Sequence, residues 1–172
     1  MSYFKPDCYK KNIFEIDYKK LKSIGIKCLV FDLDNTLGLV SNKNCPNEAV
    51  KLIKKLKKDF IVEICSNNTT GRLKPYLDEL EIDGVSWSFK PSIKGVYKIR
   101  KKYNLNKKEM CIIGDQIVTD IFTGKRYGIY TVLVDPLGVK DLKITSLNRV
   151  IENFILKRYK MKNIFERGSY YG

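Results

Sequence analysis

Ile26–Leu37 reads IKCLVFDLDNTL, and this stretch decides how the rest of the chain is parsed. A short apolar run, rich in residues that suit a pleated and buried surface, ends abruptly in two aspartates one residue apart. Side chains alternate at a strand end, so Asp32 and Asp34 point the same way. Paired carboxylates so placed can share a hard cation and divide the work of nucleophile and proton donor. A lone Asp-x-Asp is also a solvated turn; the apolar run followed by Asp-x-Asp-Asn-Thr selects the chemical reading.

Working outward, similar apolar runs predict further strands. With Ile26–Phe31 they are Phe60–Ser66, Val85–Phe89, Met110–Gly114 and Tyr130–Val134. Helical spacing fills the gaps at Glu48–Lys58, Thr70–Leu80, Ile93–Tyr103 and Thr119–Tyr127. Nearly continuous apolar strands alternating with helices imply βα units and a mostly parallel five-stranded α/β sheet, flanked by helices on both faces. Ligands of such sheets bind beyond the carboxyl ends of the strands. The residues expected there are Asp32 to Thr36, then Ser66, Asn67 and Asn68, then Lys90 and Pro91, then Asp115.

Each has its own chemistry. Ser66 offers a hydroxyl to a phosphate oxygen or caps the following helix. Pro91 biases Lys90 towards an extended backbone, which fixes where a compact cation projects. Gly114 permits close backbone approach beside Asp115, which completes a cation site with Asp32. Asp120 opens the next helix, where it also complements the helix dipole. Cys65 ahead of Gly71 and Arg72 imitates a cysteine-phosphatase loop, but the arginine is one residue too far and no histidine precedes the cysteine.

In this order and context, the strings DLDNT, S, KP and GDxxxxD resemble the four motifs of the haloacid dehalogenase superfamily across residues 26–135. The resemblance implies a Rossmann-like fold with Asp32 as nucleophile and Asp34 as general acid and base. Ser66, Asn67 and Lys90 would bind the phosphoryl group, with Lys90 also steadying the nucleophile. Mg²⁺ would be held by Asp32, the backbone carbonyl of Asp34, and Asp115, with Asp120 orienting the site or reaching the metal through water. An aspartate at the second position marks the phosphatases of the superfamily rather than the dehalogenases. The segments NIFEIDYKKLKSIGIKCLVFDLDNTL and GDQIVTDIFTGKRYGIYTVLVDPL are similar to the YqeG-like family of subclass IIIA. That family resembles phosphatidylglycerophosphate phosphatases.

Composition narrows the alternatives. The 172 residues suit one domain, 1–172, and contain no histidine, which removes serine triads, phosphohistidine chemistry and histidine zinc sites. Five cysteines without a CxxC pair read as reduced, buried thiols. No uninterrupted apolar run is long enough to span a bilayer, and the N-terminal stretch lacks the apolar centre of a secretory signal, so a cytoplasmic protein is expected. The formal net charge of +14 favours anionic partners: a phosphorylated substrate, an anionic lipid at the inner face of the membrane, or nucleic acid.

Only residues 37–65 and 67–89 separate the first three motifs, and each interval already holds a helix and a strand, so no cap domain fits. An open site suits a bulky or membrane-embedded substrate such as phosphatidylglycerophosphate. A soluble sugar-phosphate or nucleotide phosphatase is the alternative enzyme, and a basic RNA- or ribosome-binding module the alternative of another class. Residues 90–108 carry eight Lys/Arg and no acid. Near the C-terminus, Leu147, Val150, Ile151, Phe154 and Ile155 follow helical spacing ahead of Lys157 and Arg158. They predict an amphipathic helix over 146–160 that packs on the core or lies on a membrane.

Overall fold

The computed structural model describes residues 3–138, 150–158 and 166–172. Six strands form a wholly parallel sheet: β1 Cys8–Lys10, β2 Cys28–Phe31, β3 Ile61–Cys65, β4 Asp83–Val85, β5 Met110–Gly114 and β6 Tyr130–Val134. Five α-helices connect them: α1 Tyr18–Ser23, α2 Asn47–Leu56, α3 Thr70–Leu80, α4 Lys94–Lys102 and α5 Phe122–Tyr127. A π-helical turn, Ile117–Ile121, precedes α5.

The apolar runs became central strands because both faces of the sheet are covered. In β2, Leu29 and Phe31 enter one core with Ile53, Leu73 and Tyr76 from α2 and α3. Cys28 and Val30 enter the other core with Val96 and Ile99 from α4. β5 divides the same way, Cys111 and Ile113 on one side, Met110 and Ile112 on the other. Thus every β2 residue is buried, and the alternation seen in half-exposed strands is absent.

The strand order is β1-β6-β5-β2-β3-β4. From β2 the chain first builds outward through β3 and β4, then returns to the other side of β2 for β5 and β6. This reversal between β2 and β5 is a topological switch point, where open α/β sheets form a crevice. Phe31 pairs with Ile113, and the Asp32 N–H donates to the Ile113 carbonyl at 2.8 Å. The ends of β2 and β5 therefore bring Asp32 and Asp115 side by side.

Two details depart from the expected architecture. The sheet has a sixth strand, β1, whose sequence Cys-Tyr-Lys carries no apolar run; it is held by pairing with Val132–Val134 of β6. The strand expected at Val85–Phe89 is instead Asp83–Val85. Trp87 and Phe89 have φ of 50° and 52°, a left-handed backbone incompatible with a continuing strand. No cap domain interrupts the motifs: α2 alone lies between the turn after β2 and β3, and α3 alone between β3 and β4.

Residues 150–158 are helical; the remainder of the helix expected at 146–160 lies outside the described residues. Val150, Ile151 and Phe154 face solvent, while Glu152 is buried and accepts from the Ile117 N–H at 3.3 Å. Leu156 of the same helix packs against the cluster of Tyr9, Ile117, Ile121 and Leu133. Among the described residues, no helix is long and apolar enough to cross a membrane.

Candidate active site

The turn after β2 is pinned by its apolar members. Leu33 and Leu37 are buried, and the Leu37 N–H donates to the Leu33 carbonyl at 3.0 Å. Asn35 takes a left-handed φ of 60°, which asparagine tolerates, and its N–H donates to the Gly38 carbonyl at 2.7 Å. Anchoring Leu33 leaves the residues on either side, Asp32 and Asp34, to the crevice.

Asp32, Asp115 and Asp120 converge there, each buried, with one oxygen of each within 4.8 Å of the others. Lys90 is the cation among them. It is 5% exposed, and its ammonium donates to Asp32 Oδ1 at 2.5 Å, Asp120 Oδ1 at 2.7 Å and the Cys65 carbonyl at 2.6 Å. Those three bonds use all of its hydrogens. Burial drives the Asp32 carboxyl up to about 7 despite the opposing pull of Lys90. The Asp120 and Asp32 charges hold Lys90 above its usual range against its own desolvation.

Asp120 reaches this group through the π turn: its Oδ2 accepts from the Gln116 N–H at 3.1 Å, and it packs against Gly114. A Cβ on Gly114 would lie 2.3 Å from Asp120 Cγ, so only glycine leaves room for the carboxylate. Thr36 Oγ1 donates to Asp115 at 3.5 Å, and Arg167 donates to the Asp115 carbonyl at 2.9 Å.

Asp34 is held apart from the three acids. Arg72 of α3 donates to its Oδ1 at 2.6 Å, and Asn68 donates to its Oδ2. The guanidinium also donates to the carbonyls of Leu39 and Asn42 and lies over the Tyr76 ring at 5.1 Å. Arg72 thus fixes the second aspartate and the loop beyond it. The cysteine-phosphatase pattern that drew attention to Arg72 carries no chemistry, because burial pushes the Cys65 thiol up to about 11.

Ser66 is buried at the end of β3, its Oγ accepting from the Asn68 N–H at 3.2 Å. Asn67, expected to bind phosphate, turns its side-chain amide towards the segment that presents Lys90. Its Oδ1 accepts from the Lys90 N–H at 2.6 Å and from Ser88 Oγ at 2.8 Å, while its Nδ2 donates to the Lys90 carbonyl at 2.9 Å. These bonds clamp the segment that presents Lys90. The crevice therefore unites Asp32, Ser66, Lys90, Asp115 and Asp120, with Asp34 at its edge and Asn67 behind Lys90.

The donor set suits a hard divalent cation. Three buried carboxylates, Asp32, Asp115 and Asp120, lie together and offer oxygens of the kind Mg²⁺ selects.

Comparison with known proteins agrees with this geometry. The family profile of haloacid dehalogenase-like hydrolases matches residues 29–90, and that of HAD-hydrolase-like proteins matches 90–145. The chain is 36% identical to the probable phosphatase YqeG of Bacillus subtilis over 161 residues, covering 93% of this chain and 94% of that one. It is 28% identical to the chloroplastic/mitochondrial phosphatidylglycerophosphate phosphatase 1 of Arabidopsis thaliana, over 92% of this chain but only 49% of that longer protein. A HAD family enzyme of Bacteroides thetaiotaomicron, solved with magnesium and inorganic phosphate, shares the fold at a TM-score of 0.52 and 15% identity, covering 70% of this chain and 99% of its own. The extended match to the Bacillus protein, on a sheet whose switch point gathers the motif aspartates, places the chain in the haloacid dehalogenase-like hydrolase family, among its phosphatases.

Proposed function

We propose that the chain is a Mg²⁺-dependent phosphomonoester hydrolase working through a phosphoryl group carried on Asp32, with a membrane-embedded lipid phosphate such as phosphatidylglycerophosphate as its substrate. The observation that carries the chemistry is the convergence of Asp32, Asp115 and Asp120 at the β2/β5 switch point, with Lys90 paired to Asp32 and Asp120.

Asp32, Asp115 and Asp120, with the backbone carbonyl of Asp34, would hold the Mg²⁺, which supplies Lewis-acid neutralisation of phosphate and carboxylate charge. Lys90 keeps the Asp32 carboxylate aimed and lowers its repulsion towards an incoming anion. Ser66 donates its hydroxyl hydrogen to a phosphoryl oxygen. Asp32 attacks phosphorus as the ester P–O bond breaks, and Asp34, steadied by Arg72 and Asn68, hands its proton to the departing oxygen. Asp34 then takes a proton from a water that attacks the phosphoryl group, releasing phosphate and restoring Asp32.

The lipid assignment draws on the likeness to the Arabidopsis enzyme and on the absence of an inserted cap, which leaves the edge of the sheet open to a bulky substrate. It is tested by phosphate release from phosphatidylglycerophosphate in vesicles against a panel of soluble sugar phosphates and nucleotides. Turnover at least about tenfold more efficient on the lipid supports it; equal or better turnover of a soluble ester replaces it with a metabolite phosphatase.

A further inference from the structure

The loop that delivers Lys90 has two faces. From Trp87 to Lys90 the side chains alternate: Ser88 and Lys90 are buried, whereas Trp87 is 52% and Phe89 67% exposed. The backbone is fastened from the inside. Trp87 N–H donates to the Asn68 carbonyl at 2.9 Å, Ser88 N–H to the Ser66 carbonyl at 3.0 Å, and Lys90 N–H to Asn67 Oδ1 at 2.6 Å. With those bonds in place the two aromatic rings cannot turn inward without releasing Lys90. Both residues also sit at positive φ, where bulky side chains are rarely found and which persists only when the surroundings impose it. The rings stack on each other, with centroids 6.2 Å apart. A folded protein gains nothing from holding two large rings in water by strained backbone.

The surroundings are basic. Arg126 donates to the Pro91 carbonyl at 3.2 Å, immediately beyond Lys90. α4 starts three residues after Pro91 and exposes Lys94, Tyr97 and Lys98, which share one helical face. Cations thus stand beside the aromatic pair. Helix 150–158, fastened through Glu152 to the Ile117 N–H after β5, also exposes Val150, Ile151 and Phe154.

We infer that Trp87 and Phe89 form an insertion foot that seats the open edge of the sheet on an anionic phospholipid bilayer. The rings enter the boundary between headgroups and acyl chains, where amphipathic aromatics are favoured, and Lys94, Lys98 and Arg126 meet the lipid phosphates. Because Phe89 and Lys90 are neighbours in the chain, docking by the foot brings the crevice to headgroup level. The inference deepens the lipid reading of the proposed function, yet it concerns adhesion and not turnover.

Trp87 is the only tryptophan in the chain, so its fluorescence reports the foot directly. The experiment titrates the full-length Asp32→Asn protein, in metal-free buffer, with vesicles of equal parts phosphatidylcholine and phosphatidylglycerol. Neither lipid is a phosphomonoester, so binding is separated from hydrolysis. The expected result is a blue shift of Trp87 emission and its quenching by brominated acyl chains. Phe89→Ser weakens binding by about tenfold through lost apolar burial. Lys94→Glu with Lys98→Glu weakens it by about fivefold or more for each cation removed. All these positions are exposed, and circular dichroism verifies the fold of each variant. Absence of any shift, equal affinity for pure phosphatidylcholine, unchanged binding in Phe89→Ser, or a response to polyuridylate RNA but not to vesicles overturns the inference. Turnover of phosphomonoesters would survive that failure, and the Trp87 shift would survive failure of the lipid-phosphatase reading.

Discussion

Replacing Lys90 by methionine keeps an apolar stem in place and removes the ammonium. Asp32 and Asp120 then lose ion pairs at 2.5 and 2.7 Å, and the Cys65 carbonyl loses its donor, all in a buried setting. Removing one member of a buried pair costs about 3–5 kcal/mol, and two carboxylates are stranded here, so we expect about 4 kcal/mol in EDTA at about pH 8. Two conditions bear on that loss. Magnesium at a hundred times its dissociation constant adds about 2.7 kcal/mol to each protein that binds it, so it narrows the gap only where the variant, its acids stripped of the ammonium, binds the ion more tightly than wild type. Protons act on the second. The Asp32 carboxyl in the folded state is pushed up to about 7, above its ordinary value of 3.8. The folded state therefore binds a proton that the unfolded state has released, and stability falls as pH rises between about 4 and 7. Without Lys90 nothing opposes the desolvation, so the ionised form becomes costlier still. Below the window the carboxyl is neutral and the substitution costs less. Urea denaturation of both proteins at about pH 8 and pH 5, with and without magnesium, measures these terms. A loss under about 1 kcal/mol at the higher pH, or the same loss at both, refutes the account of Lys90 as the counter-ion of a buried acidic cluster.

Arg72→Leu frees the Asp34 carboxylate and lowers kcat by about 100-fold with little change in KM, because misplacement of a proton donor acts on the chemical step; steady-state kinetics on a soluble monoester checks it. Gly114→Ala inserts a methyl group where Asp120 lies 2.3 Å away, so magnesium should no longer raise the melting temperature; an unchanged magnesium response in thermal denaturation would contradict the placement. Asp115→Asn weakens magnesium binding by about 10-fold or more, read by calorimetry; unchanged affinity would contradict its place among the ligands.

Legibility in the sequence followed the range of the interactions. β2, β3, β5 and β6 were readable because burial on both faces writes itself as an unbroken apolar run, and the aspartates and lysine that follow are local to those runs. β1 was not, since Cys-Tyr-Lys becomes a strand only by pairing with β6, more than a hundred positions away. Val85–Phe89 looked like a strand because aromatic residues suit strands; it failed because Trp87 and Phe89 take left-handed backbone while Ser88 and Lys90 are drawn inward. Arg72 stands 38 positions from Asp34, and only the packing of α3 over the turn after β2 brings them together. The bonds of Asn67 to Ser88 and Lys90 depend on a loop fold that spacing does not encode. The apolar stripe of 150–158 was visible as a stripe, whereas its outward direction is set by Glu152 reaching the Ile117 N–H.

The central claim is that Asp32 attacks phosphorus. The most direct test is phosphate release in magnesium by wild type and by Asp32→Asn, on phosphatidylglycerophosphate vesicles and on a soluble monoester, with melting temperatures recorded for both proteins. The account predicts that the variant stays folded and releases phosphate from neither substrate above background. A folded Asp32→Asn protein with turnover near that of wild type would contradict it.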